Sequence, residues 1–292
     1  MNNSLENNVK RFIVSLALLL GLIILADYAH AGAWTQKRGH GFYKLEGRFI
    51  YAQRFFEPDG KLIDIPTLSD YTASFYGEYG LNQRLTLVAY VPFYKRLALN
   101  RQIGEPSGFV YFAGDSTSGF ADTDVGFRFG LKTNGPTVLS ARVMFGVPLG
   151  KDEQQSGLLT GDGEFNQLFA LELGHSFYPL PLYFSGEAGF NNRTKGFSDE
   201  LRYTAELGYT FWNNVTLMMK FLGVASLKNG EDNIRSGMGG LYGNNVSYLA
   251  LGPSLFYQIN KKFGVTAGVD GATYGQNVLA APSYSLGIYF KQ

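Results

Sequence analysis

From Tyr43 onward the chain alternates apolar and polar side chains with a period of two. Tyr43, Leu45, Gly47, Phe49 and Tyr51 share one parity, while Lys44, Glu46 and Arg48 hold the other. The pattern returns at Leu201, Tyr203, Ala205, Leu207, Tyr209 and Phe211, set against Arg202, Thr204, Glu206, Gly208 and Thr210. Successive side chains on a strand point to opposite faces, so this period predicts half-buried strands rather than helices. Further strands are predicted near 70–81, 84–94, 123–131, 137–149, 164–176, 182–191, 215–226, 247–259, 263–272 and 281–290, about twelve in all. Each runs ten residues or so. Soluble sheets usually use five or six, whereas tilted membrane-spanning strands need roughly 9–11.

The connections between these segments alternate in length. Leu81 to Gln83, Lys132 to Pro136, Phe177 to Pro181, Trp212 to Asn214 and Asn260 to Lys262 are short; 57–69, 95–122, 150–163, 192–199, 227–246 and 273–280 are longer. Bacterial outer-membrane barrels have short periplasmic turns, longer extracellular loops and an even strand number. The fold class is therefore all-β, a transmembrane antiparallel β-barrel of about twelve strands. Hydrocarbon supplies no hydrogen-bond partner, so such a sheet must close on itself. Apolar parity then faces lipid and polar parity faces the interior. Aromatics beside the turns fit interfacial girdles: Tyr79, Phe177, Tyr178, Phe211 and Trp212 on the periplasmic side, and Phe55, Phe93 and Phe190 on the other. Strand glycines such as Gly126, Gly186, Gly208 and Gly268 give the wall room to bend.

Composition narrows the picture. Of 292 residues 45% are apolar and only 17% charged, with 37 glycines, no cysteine and a net charge of +1. A near-neutral chain lacks the basic excess of a nucleic-acid binder, so no nucleic acid is expected as a partner. Without cysteine there are no disulfides, thiolate zinc sites or cysteine nucleophiles. Lys10 and Arg11 precede an apolar run from Phe12 to Ala26, and Ala29-His30-Ala31 follows as an A-x-A site. This order predicts a secretory signal peptide over 1–31, with the barrel over 32–292. Export places the barrel in the bacterial outer membrane, among its lipids and lipopolysaccharide.

Short motifs add a resemblance. The run Tyr76-Gly77-Glu78-Tyr79-Gly80-Leu81-Asn82-Gln83-Arg84-Leu85-Thr86-Leu87 resembles a hairpin common in small outer-membrane barrels. The run Gly119-Phe120-Ala121-Asp122-Thr123-Asp124-Val125-Gly126-Phe127-Arg128-Phe129-Gly130-Leu131 resembles a strand opening of the outer-membrane transporter family of the MetA-pathway of phenol degradation. Gly161-Asp162-Gly163-Glu164-Phe165 opens the sixth strand in a similar manner. The resemblance implies a small barrel for uptake of aromatic or other small organic molecules, and names no substrate. Chains of this kind end on an aromatic read by the barrel-assembly machinery. Here Phe290 is assigned that part, followed by Lys291 and Gln292.

Parity assigns Lys44, Arg48, Arg128, Arg142, Arg202 and Lys220 to the lumen, with Glu46, Glu78, Asp124, Glu172, Glu187, Glu206 and Asp270. Six cations face seven anions, so no single sign dominates the pore as it would in a strongly selective channel. Two consequences stand open: a weakly selective pore, or ion pairs that fill and stiffen the interior. In the loop from 95 to 122, Gly108-Phe109-Val110-Tyr111-Phe112-Ala113 is an apolar run needing cover. Phe109, Tyr111 and Phe112 either form a greasy access site at the mouth or extend the strands above the membrane.

Enzyme chemistry finds little footing. His40 precedes the first strand, and His175 adjoins Ser176 on a strand where neighbours face oppositely. Asp162 and Glu164 flank Gly163 without EF-hand spacing. No cofactor is implied. The expected function is passive passage of a small-molecule solute. The alternatives are a closed barrel acting in the envelope structure or at the surface through its loops, and, less favoured, a lipid-modifying enzyme.

Overall fold

A computed structural model describes residues 32–232, 234 and 243–292. The leader assigned to 1–31 lies outside them. Among the described residues twelve long strands form one antiparallel sheet: β1 Gly41–Phe56, β2 Leu62–Gly80, β3 Leu85–Leu99, β4 Thr123–Lys132, β5 Thr137–Val147, β6 Asn166–Ser176, β7 Leu182–Asn192, β8 Glu200–Phe211, β9 Val215–Ser226, β10 Ser247–Gln258, β11 Phe263–Gln276 and β12 Pro282–Lys291. Each pairs with its sequence neighbour, and β1 pairs with both β2 and β12. The sheet is therefore a closed barrel with no exposed long edge, as a hydrocarbon solvent demands.

The two parities separate cleanly in space. Leu45, Phe49, Leu87, Phe127, Leu171, Leu207, Phe221, Leu255 and Leu286 are all exposed large apolar side chains on the outer face. Inward positions instead hold Glu78, Thr86, Arg128, Ser140, Glu172 and Thr216, all buried. This inverts the soluble rule: the outer belt is oily because lipid is its solvent, and the interior is polar.

The element count matches expectation, and the main difference is reach. β2 begins at Leu62 rather than near 70, and β3 continues to Leu99, so the first hairpin stands well above the others. A short strand, Asp115–Gly119, pairs with the raised part of β3 and continues the line of β4. Sequence alternation fades in these extensions because above the lipid neither face is forced to be oily. Register also slips there. A bulge between Ala52 and Arg54 turns Phe55 inward, where it packs on a cluster of Ile50, Ala52, Leu68, Leu97, Leu99, Leu158 and Leu279. Phe55 thus belongs to an apolar cap inside the mouth and not to the outer aromatic girdle assigned to it. Phe93 and Phe190 remain on the outer surface, as do Tyr79, Phe177, Tyr178, Phe211 and Trp212.

Candidate functional site

The interior is built in three tiers. At the periplasmic end, the segment before β1 runs across the lumen as a strap. Gln36 Nε2 donates to Glu78 Oε2 (2.7 Å), and its backbone N–H donates to Thr86 Oγ1 (2.8 Å). Ser140 donates to the Ala33 carbonyl at 2.6 Å, and Arg128 Nη1 reaches the Trp34 carbonyl at 3.4 Å. The Trp34 ring meets Tyr183 edge-on at 6.0 Å and lies over Gly174, where a Cβ would sit 2.7 Å from the indole. Contacts from β2 through β7 therefore hold Ala33, Trp34 and Gln36 across the base of the barrel. Ala33 is buried.

Directly above the strap lies a chain of ion pairs. Arg128 donates to Glu78 at 2.8 Å and to Glu172 at 2.6 Å; Arg142 lies 3.3 Å from Glu172 and pairs with Glu187. Tyr76 donates to Glu78 at 2.5 Å. The network spans β2, β4, β5, β6 and β7, and Arg128 is 1% exposed. Around the opposite wall, Lys44 pairs with Glu46 at 2.6 Å, and Lys220 with Glu206 at 3.4 Å, where Tyr183 also donates to Glu206 at 2.6 Å. Thus nine of the thirteen charges assigned to the lumen sit in this tier.

The middle tier is open. A cavity of about 500 Å³ is lined by Arg48, Asp124, Arg142, Arg202, Tyr90 and Tyr248, among others. Arg202 binds Glu200 through Nε (3.0 Å) and Nη2 (2.9 Å), while Arg48 Nε donates to Ser283 Oγ at 2.6 Å. Asp270 stands opposite Ser283 in the β11–β12 ladder.

The upper tier narrows the mouth. The loop between β5 and β6 dips inward and buries Leu158 and Thr160. Asp122 accepts from the Gly150 N–H (2.9 Å) and the Asp162 N–H (2.8 Å), pinning both ends of that loop. Arg193 gathers Glu164 (2.7 Å), Asp162 (2.9 Å) and Glu200 (2.9 Å). Burial, then the neighbouring Asp122 charge, pushes the Asp162 carboxyl up to about 6; burial also raises Glu164. Gly163, at φ +69°, turns the chain so that Asp162 and Glu164 both meet Arg193. Their acidic spacing therefore serves an internal ion cluster.

The 102–112 region forms its own hairpin, Gln102–Ile103 with Val110–Phe112, rather than lengthening a barrel strand. Phe109 and Tyr111 are 62% and 70% exposed and touch edge to face at 5.0 Å. Phe112 packs half-buried on the apolar cap. His175 bonds Thr137 Oγ1 at 2.8 Å and abuts Phe177 at the periplasmic turn.

Sequence reasoning did not find Asp70–Lys95 (2.6 Å), Arg193 or the strap. Lys95 fell beyond the assigned end of its strand, and Arg193 in a loop. The strap carries no periodicity at all. A signal existed in Trp34 and Gln36, an aromatic and an amide placed just before a strand whose lumen face is charged.

The sequence matches no protein-family model and no curated protein. In structure, the chain is similar to the COG4313 outer membrane channel from Pseudomonas putida F1, with a TM-score of 0.70 at 13% identity, covering 91% of this chain and 100% of that one. It is also similar to the NanC porin (TM-score 0.51, 10% identity, 85% and 100% covered). The translocator domain of autotransporter NalP from Neisseria meningitidis gives a TM-score of 0.50 at 12% identity, over 98% and 97% of the two chains. The fold is that of small outer-membrane barrels.

Proposed function

We propose that this chain is a passive channel of the bacterial outer membrane for small organic solutes. The carrying observation is the water-accessible, charge-lined cavity of about 500 Å³ inside a closed barrel whose outer belt is apolar. Its likeness to a solved outer membrane channel supports the reading. Solute would enter past the exposed Phe109 and Tyr111 and the half-buried Phe112, cross the cavity, and leave beside the strap. The lumen charges set earlier by parity act here as a balanced lining, and diffusion down a gradient needs no energy source or cofactor. The same balance supports weak ion selectivity. Lipid and lipopolysaccharide contact the belt, and Phe290, paired with Phe263 and Tyr43, would present the terminal aromatic to the assembly machinery.

One observation favours the second reading, a closed barrel working through its loops: the strap and the Arg128 network fill the periplasmic tier. Planar-bilayer recording separates the two. Discrete openings from folded protein support the channel; silence supports the closed barrel. Replacing Phe109, Tyr111 and Phe112 together by Ser should slow entry of apolar solutes in liposome-swelling assays; unchanged flux through an intact barrel removes them from the pathway. A catalytic role has less support, because His175 is engaged by Thr137 and Phe177 at the periplasmic turn.

A further inference from the structure

The cavity lining is unevenly paired. Lys95 lies on Asp70 at 2.6 Å, Arg142 on Glu187, and Arg193 and Arg202 both on Glu200 at 2.9 Å. Arg48 differs: among the described residues no carboxylate lies within ion-pair distance of it. Among the described residues its one hydrogen bond runs from Nε to Ser283 Oγ, so neither Nη group is engaged, and the exposed side chain lines the cavity. The Ser283 contact fixes the guanidinium plane while its outer fork stays open. A fixed, open guanidinium fork matches the two oxygens of a carboxylate.

The surroundings specify what that carboxylate is attached to. Tyr76, Tyr90 and Tyr248 line the same cavity as Arg48. Val88, Leu168 and Leu222 extend an apolar wall beside them. Aromatic and aliphatic side chains next to a cation without a carboxylate partner among the described residues favour a flat, apolar body with one anionic group. Asp124, on the lining with Arg142 and Arg202, makes no ion pair of its own among the described residues. A second negative charge on the solute would meet Asp124, so one carboxylate is accepted and two are opposed.

We propose that the cavity is a binding site for an aromatic monocarboxylate, with Arg48 receiving the carboxylate and Tyr76, Tyr90 and Tyr248 receiving the ring. This names the solute class for the channel reading and rests on it for physiological meaning, although binding itself does not require conduction.

Fluorine NMR of the detergent-folded protein with para-fluorobenzoate tests the site, with para-fluorobenzyl alcohol as the uncharged counterpart. Wild type should bind the acid and discriminate against the alcohol. Arg48→Gln should weaken acid binding by about tenfold or more, and Arg48→Lys should retain part of it. Heat-modifiable mobility in gels verifies that each variant is folded. A folded Arg48→Gln that binds para-fluorobenzoate as tightly as wild type overturns the proposal. So does a wild type that binds neither probe, or both equally, a result that needs no variant to fold. A barrel silent in bilayers that still prefers the acid would refute the channel and keep the site. A conducting barrel without that preference would refute the site alone.

Discussion

Arg128 is enclosed between two carboxylates and a backbone carbonyl and is 1% exposed. Removing it leaves Glu78 and Glu172 buried without their shared cation. Arg128→Met should therefore cost roughly 3–5 kcal/mol, read by urea unfolding of the protein in phospholipid vesicles. Parity alone placed Arg128, Glu78 and Glu172 on one face. Which pairs with which depends on register across β2, β4 and β6, and a sequence does not state register between strands that are not neighbours. Asp162 behaves differently, since it lies in a loop above the strands. Its carboxyl is raised to about 6, so below that pH it is protonated beside Asp122. A group raised on folding contributes its stabilisation in full below its unfolded value, and that contribution is lost as pH rises through the folded one. Between about pH 4 and pH 6 the inward loop should loosen. Hydrogen exchange at Thr160 and Gly161, corrected for intrinsic rates, should be slower at pH 5 than at pH 7, and Asp162→Asn should flatten the difference. Equal protection at both values counts against this anchor.

The strap is the element that the hydrophobic pattern could not reveal, because a segment crossing a lumen has no sheet face to alternate against. Its hold is specific nonetheless. Gly174 leaves space for the Trp34 ring, and a methyl group there would press on the indole. Gly174→Ala should displace Trp34. In a Trp212→Phe background, which leaves Trp34 as the reporter, emission should shift to the red and open-channel conductance should rise. Unmoved emission would mean that the wall yields instead of the strap. The barrel strands were far more legible: all twelve lie where period-two alternation put them. Their ends were less so, since β2 and β3 climb beyond the lipid and the bulges at Ala52–Arg54 and Ala73–Phe75 shift facing along the way. The cap containing Phe55 is the direct result of such a shift.

At the scale of the whole molecule, the decisive property is which solvent each face meets. Leu207 lies on the outer belt and Thr204, three residues earlier on β8, lines the cavity. Arginine at Leu207 should destabilise the protein by roughly 2–4 kcal/mol in a bilayer, while arginine at Thr204 should cost much less and alter conduction instead. Vesicle-based unfolding of both variants checks the contrast; equal costs would contradict a lipid-facing belt. The wall closes where β1 meets β12, from Phe42 opposite Lys291 to Ile50 opposite Ser283, and His40 Nδ1 lies 2.7 Å from the Gln292 carbonyl across 252 residues of chain. That seam joins the first and the last of the twelve long strands among the described residues, so the cylinder cannot be sealed without β12. Without it both rims of the curled sheet present unpaired amides to whatever surrounds them, and the strap has no finished tube to occupy. The pairing of two distant segments thereby both seals the wall and encloses Trp34 within it.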